Sequence, residues 1–327
     1  MARKLWLGLM AALLLVPAAL GLFGIDSTDH RADARTASLT EEPVAWLEER
    51  LGLRTALIDL RGRVLSLLGS TGTDRVTAGR DGFLFYTETL QTEADDPTRT
   101  IASLCALRDE LARDGRRLLV LIAPDKASVY PEELPPRVLS DRRSQLTALQ
   151  TQIGAAGLEA IDALGALEGA KLEGLVYFKG DTHWNARGAL AVSRALLTAC
   201  GLEPRTGEEP VSFEPGEAGD LLVLCRPSED RTEADATPAL SRRYSMTRPY
   251  RTLQDMKIVT ACGDAEGSML VIRDSFGAGL FPYLANSVGR LTLSRTYTDI
   301  AEQARSAEAE TVVIEIVQRN FCATVID

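Results

Sequence analysis

The chain has 327 residues, of which 45% are hydrophobic and 25% are charged, and its formal net charge is −10. This length allows one sizeable α/β domain with an N-terminal extension, or two small domains, and the composition is that of a globular protein. The acidic balance excludes a general nucleic-acid-binding surface, and the sequence has no compact basic stripe.

The N-terminal segment predicts export from the cytoplasm. Arg3 and Lys4 precede an uncharged run over residues 5–25, and about 20 apolar residues are enough to span a bilayer. The positive charges before the run predict that the rest of the chain lies outside the cytoplasm. A cleaved signal peptide is the alternative, but its apolar region is usually shorter than this run. We therefore expect a membrane anchor over residues 1–25, with the rest of the chain periplasmic or at the cell surface; after cleavage the chain would be secreted.

The segments that follow predict a tether and then one folded domain. Residues 26–42 are polar and charged, as expected of a tether. Apolar residues recur at helical spacing over residues 43–68. The expected domain covers residues 43–327. Residues 226–250 are rich in polar residues and predict an exposed insertion or long loop.

Within the domain, short apolar runs alternate with helical patterns. The predicted strands are residues 83–86, 118–123, 158–162, 175–178, 269–272, 291–293 and 311–317. The predicted helices are residues 98–114, 140–152, 186–200, 278–286 and 297–307. This alternation predicts an α/β domain of three layers with a mainly parallel sheet.

The five cysteines have neither the CxxC spacing nor the histidine partners of a zinc site, so no metal site is expected. Export permits one or two disulfides. Buried free thiols are equally compatible with the pattern.

The candidate base is His183. The chain has two histidines, and the other, His30, lies in the predicted tether. His183 falls between the predicted strand 175–178 and the helix that begins at residue 186, an edge at which open α/β sheets place their sites. Asp181, two residues earlier, is able to accept a hydrogen bond from one ring nitrogen and leave the other free as a base. Helix capping by Asp181 is the plain structural alternative.

The candidate nucleophile is Ser275. It follows the apolar strand 269–272 and precedes a helical stretch, so its hydroxyl is expected at the edge of the sheet. The backbone N–H groups at the start of that helix are suited to stabilise an oxyanion. A serine needs an adjacent base to act as a nucleophile, and His183 is the histidine available in the domain. Ser275 as a simple helix cap is the alternative.

Residues 181–185, Asp-Thr-His-Trp-Asn, resemble the signature of the alginate O-acetyltransferase family of AlgJ and AlgX, which has an SGNH-hydrolase-like fold of the flavodoxin-like kind. Four further stretches are similar to that family: residues 79–86, 122–130, 273–276 and 313–320. The resemblance covers about residues 44–327. No carbohydrate-binding module like that of AlgX is recognisable after the last strand, so we expect a domain more like AlgJ.

The resemblance implies that Ser275 is the nucleophile, His183 the base and Asp181 the acid that orients it. It also implies an extracytoplasmic O-acetyltransferase that acts on a cell-surface or secreted polysaccharide and needs no metal or organic cofactor. A membrane-bound O-acyltransferase would be the partner that supplies acetyl groups. The candidates for contact with the substrate are Lys126, Asp125, Arg273, Trp184, Asn185 and Tyr177.

Two alternatives remain open at the level of the sequence. The same three residues with water as acceptor would make a carbohydrate esterase or deacetylase, because the choice of acceptor depends on water exclusion. A non-catalytic glycan-binding or scaffold subunit of an export complex is the second alternative, and it predicts that Ser275 and His183 lie far apart.

Overall fold

The computed structural model describes residues 72–90, 96–136, 140–205, 211–225, 232–238, 240–248 and 255–326, and the single residues Leu60, Val64, Val138 and Thr252. The chain divides into two compact units, Met1–Val76 with Leu222–Arg231 and Thr77–Leu221 with Thr232–Asp327. The described part of the first unit includes strand β1 (Gly72–Thr73) and the helical residues Leu60 and Val64. The predicted membrane segment, the tether and most of the helical pattern at residues 43–68 lie outside the described residues.

The remaining strands alternate with helices. They are β2 (Val76–Ala78), β3 (Leu84–Tyr86), β4 (Arg117–Ala123), β5 (Glu159–Ile161), β6 (Val211–Ala218), β7 (Thr232–Pro238), β8 (Ser245–Arg248), β9 (Lys257–Ala261), β10 (Ser268–Ile272), β11 (Arg290–Ser294) and β12 (Thr311–Val317). The helices are α1 (Thr98–Arg113), α2 (Lys126–Val129), α3 (Arg142–Ala155), α4 (Ala163–Lys171), α5 (Ala186–Ala199), α6 (Asp220–Cys225), α7 (Gly277–Ser287) and α8 (Ile300–Ser306).

The large sheet in the second unit has seven strands in the order β5-β4-β12-β10-β11-β9-β8. The first five run parallel to one another. β9 pairs antiparallel with β11, and β8 antiparallel with β9. β6 and β7 form a separate antiparallel pair. The predicted α/β class with a mainly parallel sheet is therefore confirmed.

The centre of the sheet is covered on both faces. In β12 every residue after Thr311 is buried, and in β10 every residue after Ser268 is buried. Helices α1 and α4 contact β4, whereas α7 contacts β11 and α8 contacts β10. A parallel strand whose successive side chains are all buried must have layers on both sides, so its sequence reads as a continuous apolar run. The carboxyl ends of β4, β12 and β10 consequently lie side by side at one edge.

Two predicted segments differ from the structure. Residues 175–178 do not form a strand of the sheet; Tyr177 makes one isolated bridge with Trp184 instead. Val176 and Tyr177, in the middle of the run, are buried in a loop beneath the site, and the apolar pattern does not distinguish such a loop from a strand. The predicted loop at residues 226–250 contains β7 and β8, and β8 extends the large sheet at its edge.

All five cysteines are free thiols, so the structure holds no disulfide between them. Among the described residues no helix has both the length and the apolar character to cross a membrane. The predicted span over residues 5–25 is outside that set.

Candidate active site

His183 lies on a loop that is closed tightly at its base. The main-chain N–H of Asn185 donates to the carbonyl of Val176 at 3.0 Å. The side chain of Asn185 caps α5, with Oδ1 accepting from the N–H of Gly188 at 3.0 Å, and its Nδ2 donates to the carbonyl of Leu175 at 2.7 Å. Asparagine is a favoured residue at this capping position. The cap fixes the point at which the chain leaves the loop, and so the position of the histidine two residues earlier.

Asp181 orients the imidazole of His183 from within the same loop. Its Oδ1 lies 2.7 Å from Nδ1 of His183 and also accepts the main-chain N–H of His183 at 2.8 Å. Burial opposes ionisation of Asp181, but its hydrogen bonds and the charge of His183 outweigh that effect, so the pKa of this carboxyl is lowered. A carboxylate at Nδ1 keeps the proton on that nitrogen and leaves Nε2 as an acceptor.

Ser275 is hydrogen-bonded to the other ring nitrogen of His183. Its Oγ lies 2.8 Å from Nε2 of His183, which is the distance of a hydrogen bond between a hydroxyl and its base. The side chains of His183 and Asp181 are 30% and 20% exposed, so solvent and a substrate are able to reach the pair. The three side chains form one hydrogen-bonded chain in the order Ser275, His183, Asp181.

The turn that carries Ser275 is held by carboxyl groups. Asp274 Oδ1 accepts the N–H of Phe276 at 2.8 Å, and Asp274 Oδ2 accepts the N–H of Val317 at 2.8 Å. Glu315 Oε2 accepts the N–H groups of Asp274 and Gly277. In the part of the chain that the structure describes, the N–H of Ser275 itself has no acceptor. It is therefore available as a donor to an oxyanion.

Lys126 supports the histidine loop from beneath. Its ammonium is buried and donates to the carbonyls of Phe178 at 3.0 Å, Lys179 at 2.9 Å and Asp181 at 2.6 Å. Loop carbonyls that turn inward need donors, because an unpaired buried carbonyl costs free energy. A single side chain after β4 thereby fixes the loop that carries Asp181 and His183.

A second acidic residue, Asp220, closes the loop from α6. Its carboxylate accepts the N–H and the hydroxyl of Thr182 at 2.8 and 2.6 Å. Its own N–H donates to Asp181 Oδ2 at 2.9 Å. Asp181, His183 and Asp220 each place one ligand atom within 4.8 Å of the others, a spacing compatible with a metal ion. Those atoms already have partners in the loop, however, so hydrogen bonding accounts for the cluster.

Three of the candidates for substrate contact, Arg273, Trp184 and Tyr177, are buried in the structure. Arg273 is 1% exposed and Tyr177 is fully buried; the Tyr177 hydroxyl donates to the carbonyl of Pro124. Trp184 is 4% exposed and packs edge-on against Phe276, with ring centroids 5.1 Å apart. Tyr177 and Trp184 lie beneath the site because the histidine loop folds these rings inward, and Arg273 is buried at the end of β10. No ring face of Trp184 is presented to a sugar.

The other predicted contacts also have structural partners. Lys126 and Asn185 bond the histidine loop as described above, and Asp125 is buried between two guanidinium groups. Arg319 Nη1 and Arg142 Nε lie 2.9 and 3.2 Å from its carboxylate oxygens. Burial raises the pKa of Asp125, and the two arginines oppose that shift. Arg142 and Arg319 also line a cavity of about 530 Å³ at this edge of the sheet.

The residues that sequence reasoning missed are Asp220, Thr182 as its partner, Asp274, Arg142, Arg319 and Glu315. A signal existed for Glu315, which is the only charged residue in the run of β12. Asp220 gave no such signal, because an acidic residue after a polar stretch is ordinary. Its role depends on the hydrogen bonds that Asp220 makes with Thr182 and Asp181 in the folded chain.

The fold and this site together define an SGNH-hydrolase-like α/β protein. Residues 76–256 match the family model described as SGNH hydrolase-like domain, acetyltransferase AlgX, and the chain belongs to this family. The matched region contains Asp181 and His183 and ends before Ser275.

Among curated proteins, the chain is 27% identical over 224 residues to the "Probable alginate O-acetylase AlgJ" of Pseudomonas syringae pv. tomato, covering 64% of this chain and 56% of that protein. It is 33% identical over 197 residues to the protein of the same description from Pseudomonas aeruginosa, covering 52% and 49%. The matched part of the chain thus spans about half the length of these relatives.

Among solved structures, the "O-Acetyltransferase Domain of Pseudomonas putida AlgJ" has a TM-score of 0.53 at 23% identity and covers 77% of this chain and 93% of that chain. "Structure of Bacillus cereus PatB1 with sulfonyl adduct" has a TM-score of 0.58 at 15% identity, covering 76% and 95%. At these identities the likeness shows the fold alone.

Proposed function

We propose that the chain is an O-acetyltransferase that modifies hydroxyl groups of a polysaccharide through an acyl-serine at Ser275. The observation that most strongly supports this proposal is the hydrogen bond of 2.8 Å between Ser275 Oγ and His183 Nε2, together with the bond of Asp181 to the other ring nitrogen. Membership of the acetyltransferase family supports the reaction class. The names of the AlgJ relatives support a polysaccharide acceptor.

The reaction runs in two half-reactions. As Ser275 Oγ attacks the acetyl carbonyl carbon, its proton passes to His183 Nε2, and Asp181 stabilises the imidazolium. The N–H of Ser275 is placed to bond the oxyanion. The leaving group departs with the proton from His183, and an acetyl ester remains on Ser275. A sugar hydroxyl then gives its proton to His183 and attacks that ester, which returns Ser275 to its starting form.

The partners and the location are part of the proposal. A membrane-bound O-acyltransferase would supply the acetyl group, and residues 1–25 would hold the domain outside the cytoplasm. The length and polarity pattern of that segment support the placement. The relatives act on alginate by name, so alginate is the first acceptor to test.

Hydrolysis is the second candidate reaction, because the exposure of His183 allows water to approach Nε2. The non-catalytic scaffold requires Ser275 and His183 to be separated, and the hydrogen bond between them argues against it.

An acyl-transfer assay tests the proposal. The purified domain is given an activated acetyl ester with and without oligosaccharide acceptors, and acetylated sugar and free acetate are measured by mass spectrometry. We expect acetylated oligosaccharide from the native protein and none from Ser275→Ala. Free acetate alone with every acceptor would identify an esterase, and acetylated polymer from Ser275→Ala would refute the acyl-serine.

A further inference from the structure

Glu315 is an unusual residue for its position in the fold. It lies in β12, where every other residue from Val312 to Val317 is apolar, and its side chain is fully buried. A carboxyl group in the middle of a sheet is costly unless it is hydrogen-bonded. Its contacts therefore indicate what it does.

The side-chain hydrogen bonds of Glu315 are made by one oxygen, Oε2, and both go to the turn that carries Ser275; within the described residues Oε1 has no partner. Oε2 accepts the N–H of Asp274 at 3.0 Å and the N–H of Gly277 at 3.0 Å. These two residues flank Ser275 and Phe276. One carboxyl oxygen thus holds both ends of the turn, while the carboxylate of Asp274 binds the N–H of Phe276 inside it.

The turn rests directly on this carboxyl group. A Cβ atom added at Gly277 would lie 2.8 Å from Glu315 Oε2 and 2.6 Å from the Cβ of Arg273. The main chain of the turn thus approaches both Glu315 and Arg273 closely at this position. Glycine at position 277 is required by this close approach.

The surroundings of Glu315 shift its pKa upward. Burial, and then the charge of Asp274, raise the pKa of Glu315 well above its usual range, and the charge of Arg273 only partly opposes this. Tyr297 faces the same region, and its hydroxyl donates to the main-chain carbonyl of Glu315 at 2.6 Å; burial raises the pKa of Tyr297 as well. The charged and titratable groups that face Glu315 are thus Asp274, Arg273 and Tyr297.

We propose that Glu315 is a positioning residue for acylation. By accepting hydrogen bonds from both ends of the turn, it keeps Ser275 Oγ within hydrogen-bonding distance of His183 Nε2, and it leaves the N–H of Ser275 free for the oxyanion. The inference rests on the proposed role of Ser275 as nucleophile. Glu315 touches no reacting atom, and it acts through the turn alone.

The test compares two substitutions of similar size. Glu315→Gln keeps a carbonyl oxygen for both N–H groups. Glu315→Met fills the space but accepts neither bond. The rate of acetylation of Ser275 by p-nitrophenyl acetate is followed by intact-protein mass spectrometry across pH, together with kcat, KM and Tm. We expect Glu315→Met to lose about 10²-fold in rate with little change in KM, because small displacements of reacting groups have effects of that size. We expect Glu315→Gln to stay within about threefold of the native rate, with the same pH profile.

Two further variants separate the causes. Val312→Ala removes buried volume from the same strand beside Leu270, two residues further from the turn than Ile272, so it should lower Tm and leave the acylation rate near native. Gly277→Ala places a Cβ 2.6 Å from the Cβ of Arg273 and 2.8 Å from Glu315 Oε2; it therefore displaces the turn from Glu315 and should slow acylation as Glu315→Met does, which keeps the test available if the methionine variant does not fold. A native rate in Glu315→Met or in Gly277→Ala, or a rate in Glu315→Gln as low as in Glu315→Met, overturns the inference. If Ser275→Ala still forms the acyl adduct, the proposed function itself fails; if that variant is inert while Glu315→Met is as fast as the native protein, only the role of Glu315 fails.

Discussion

His183 Nε2 lies 2.8 Å from Ser275 Oγ, although the two residues are 92 positions apart in the chain. The histidine comes from a loop before α5 and the serine from the turn between β10 and α7. Two independent supports, Lys126 beneath the loop and Glu315 beneath the turn, fix the two halves. The distance between Ser275 Oγ and His183 Nε2 therefore depends on the sheet that joins β4, β12 and β10.

Replacing Ser275 by alanine should abolish acyl transfer. Among the described residues, the Ser275 hydroxyl is the only group hydrogen-bonded to His183 Nε2. Loss of one member of a hydrogen-bonded catalytic triad lowers kcat by about 10³-fold or more. The measurement is acetyl transfer at saturating ester. Ser193→Ala is the matched control, because this serine is buried in α5 and its Oγ has no hydrogen-bond partner within the described structure. Loss of activity in the control would mean that the assay reports stability instead.

Replacing Asp181 by asparagine should lower kcat by about 10² to 10⁴-fold, because an amide in place of the carboxylate favours the wrong tautomer of His183. The Tm of the variant serves as its control. A variant with native activity would show that His183 needs no orienting carboxylate.

The same substitution should also change the dependence of stability on pH. The pKa of Asp181 is lowered by folding, so its contribution is present above its unfolded value of about 3.9 and is lost as the pH falls through the lower folded value. The difference in unfolding free energy between native protein and Asp181→Asn should be constant above about pH 5 and shrink below pH 4. Urea unfolding at a series of pH values measures it, and a difference that grows on acidification would contradict the lowered pKa.

Replacing Lys126 by methionine should reduce both stability and activity. Three loop carbonyls lose their donor, and the expected cost is about 3 kcal/mol of unfolding free energy. Lys171→Met is the control, since Lys171 bonds the carbonyl of Val129 and the partly exposed Glu132 and none of the three loop carbonyls that Lys126 binds. It should cost about 1 kcal/mol or less and leave kcat unchanged. Equal losses of stability and kcat in the two variants would show that the three bonds of Lys126 to the histidine loop have no particular importance for activity.

Chelation should leave activity unchanged. Asp181, His183 and Asp220 are close enough to hold a metal ion, but their ligand atoms are engaged by one another and by Thr182. Prolonged treatment with EDTA followed by the transfer assay tests this. Activity that falls with EDTA and returns with Zn²⁺ would assign a metal to these three residues.

Many of the strands and helices were predicted correctly from the local pattern of apolar residues in the sequence. The bounds of β12 and the start of α5 are those predicted, because a strand in which all but one of the residues after Thr311 are apolar and a capping asparagine act within a few residues. The strand predicted at residues 175–178 was wrong, because a short apolar pattern is produced as well by a loop that buries two of its residues, Val176 and Tyr177, as by a strand. The strands inside residues 226–250 were missed because a polar edge strand has no apolar run.

The sequence by itself determined which groups were available for the chemistry: one histidine in the domain, an aspartate two residues before it and a serine between a buried strand and a helix. Only the tertiary structure decided that they meet, that Trp184, Tyr177 and Arg273 lie beneath the site, and that Glu315 bonds the turn that carries Ser275. The physical reason is that periodicity and capping are local, whereas the sheet places β12, the last strand in the chain, between β4 and β10. A carboxyl group on that strand reaches the turn after β10 only because the two strands are neighbours in space.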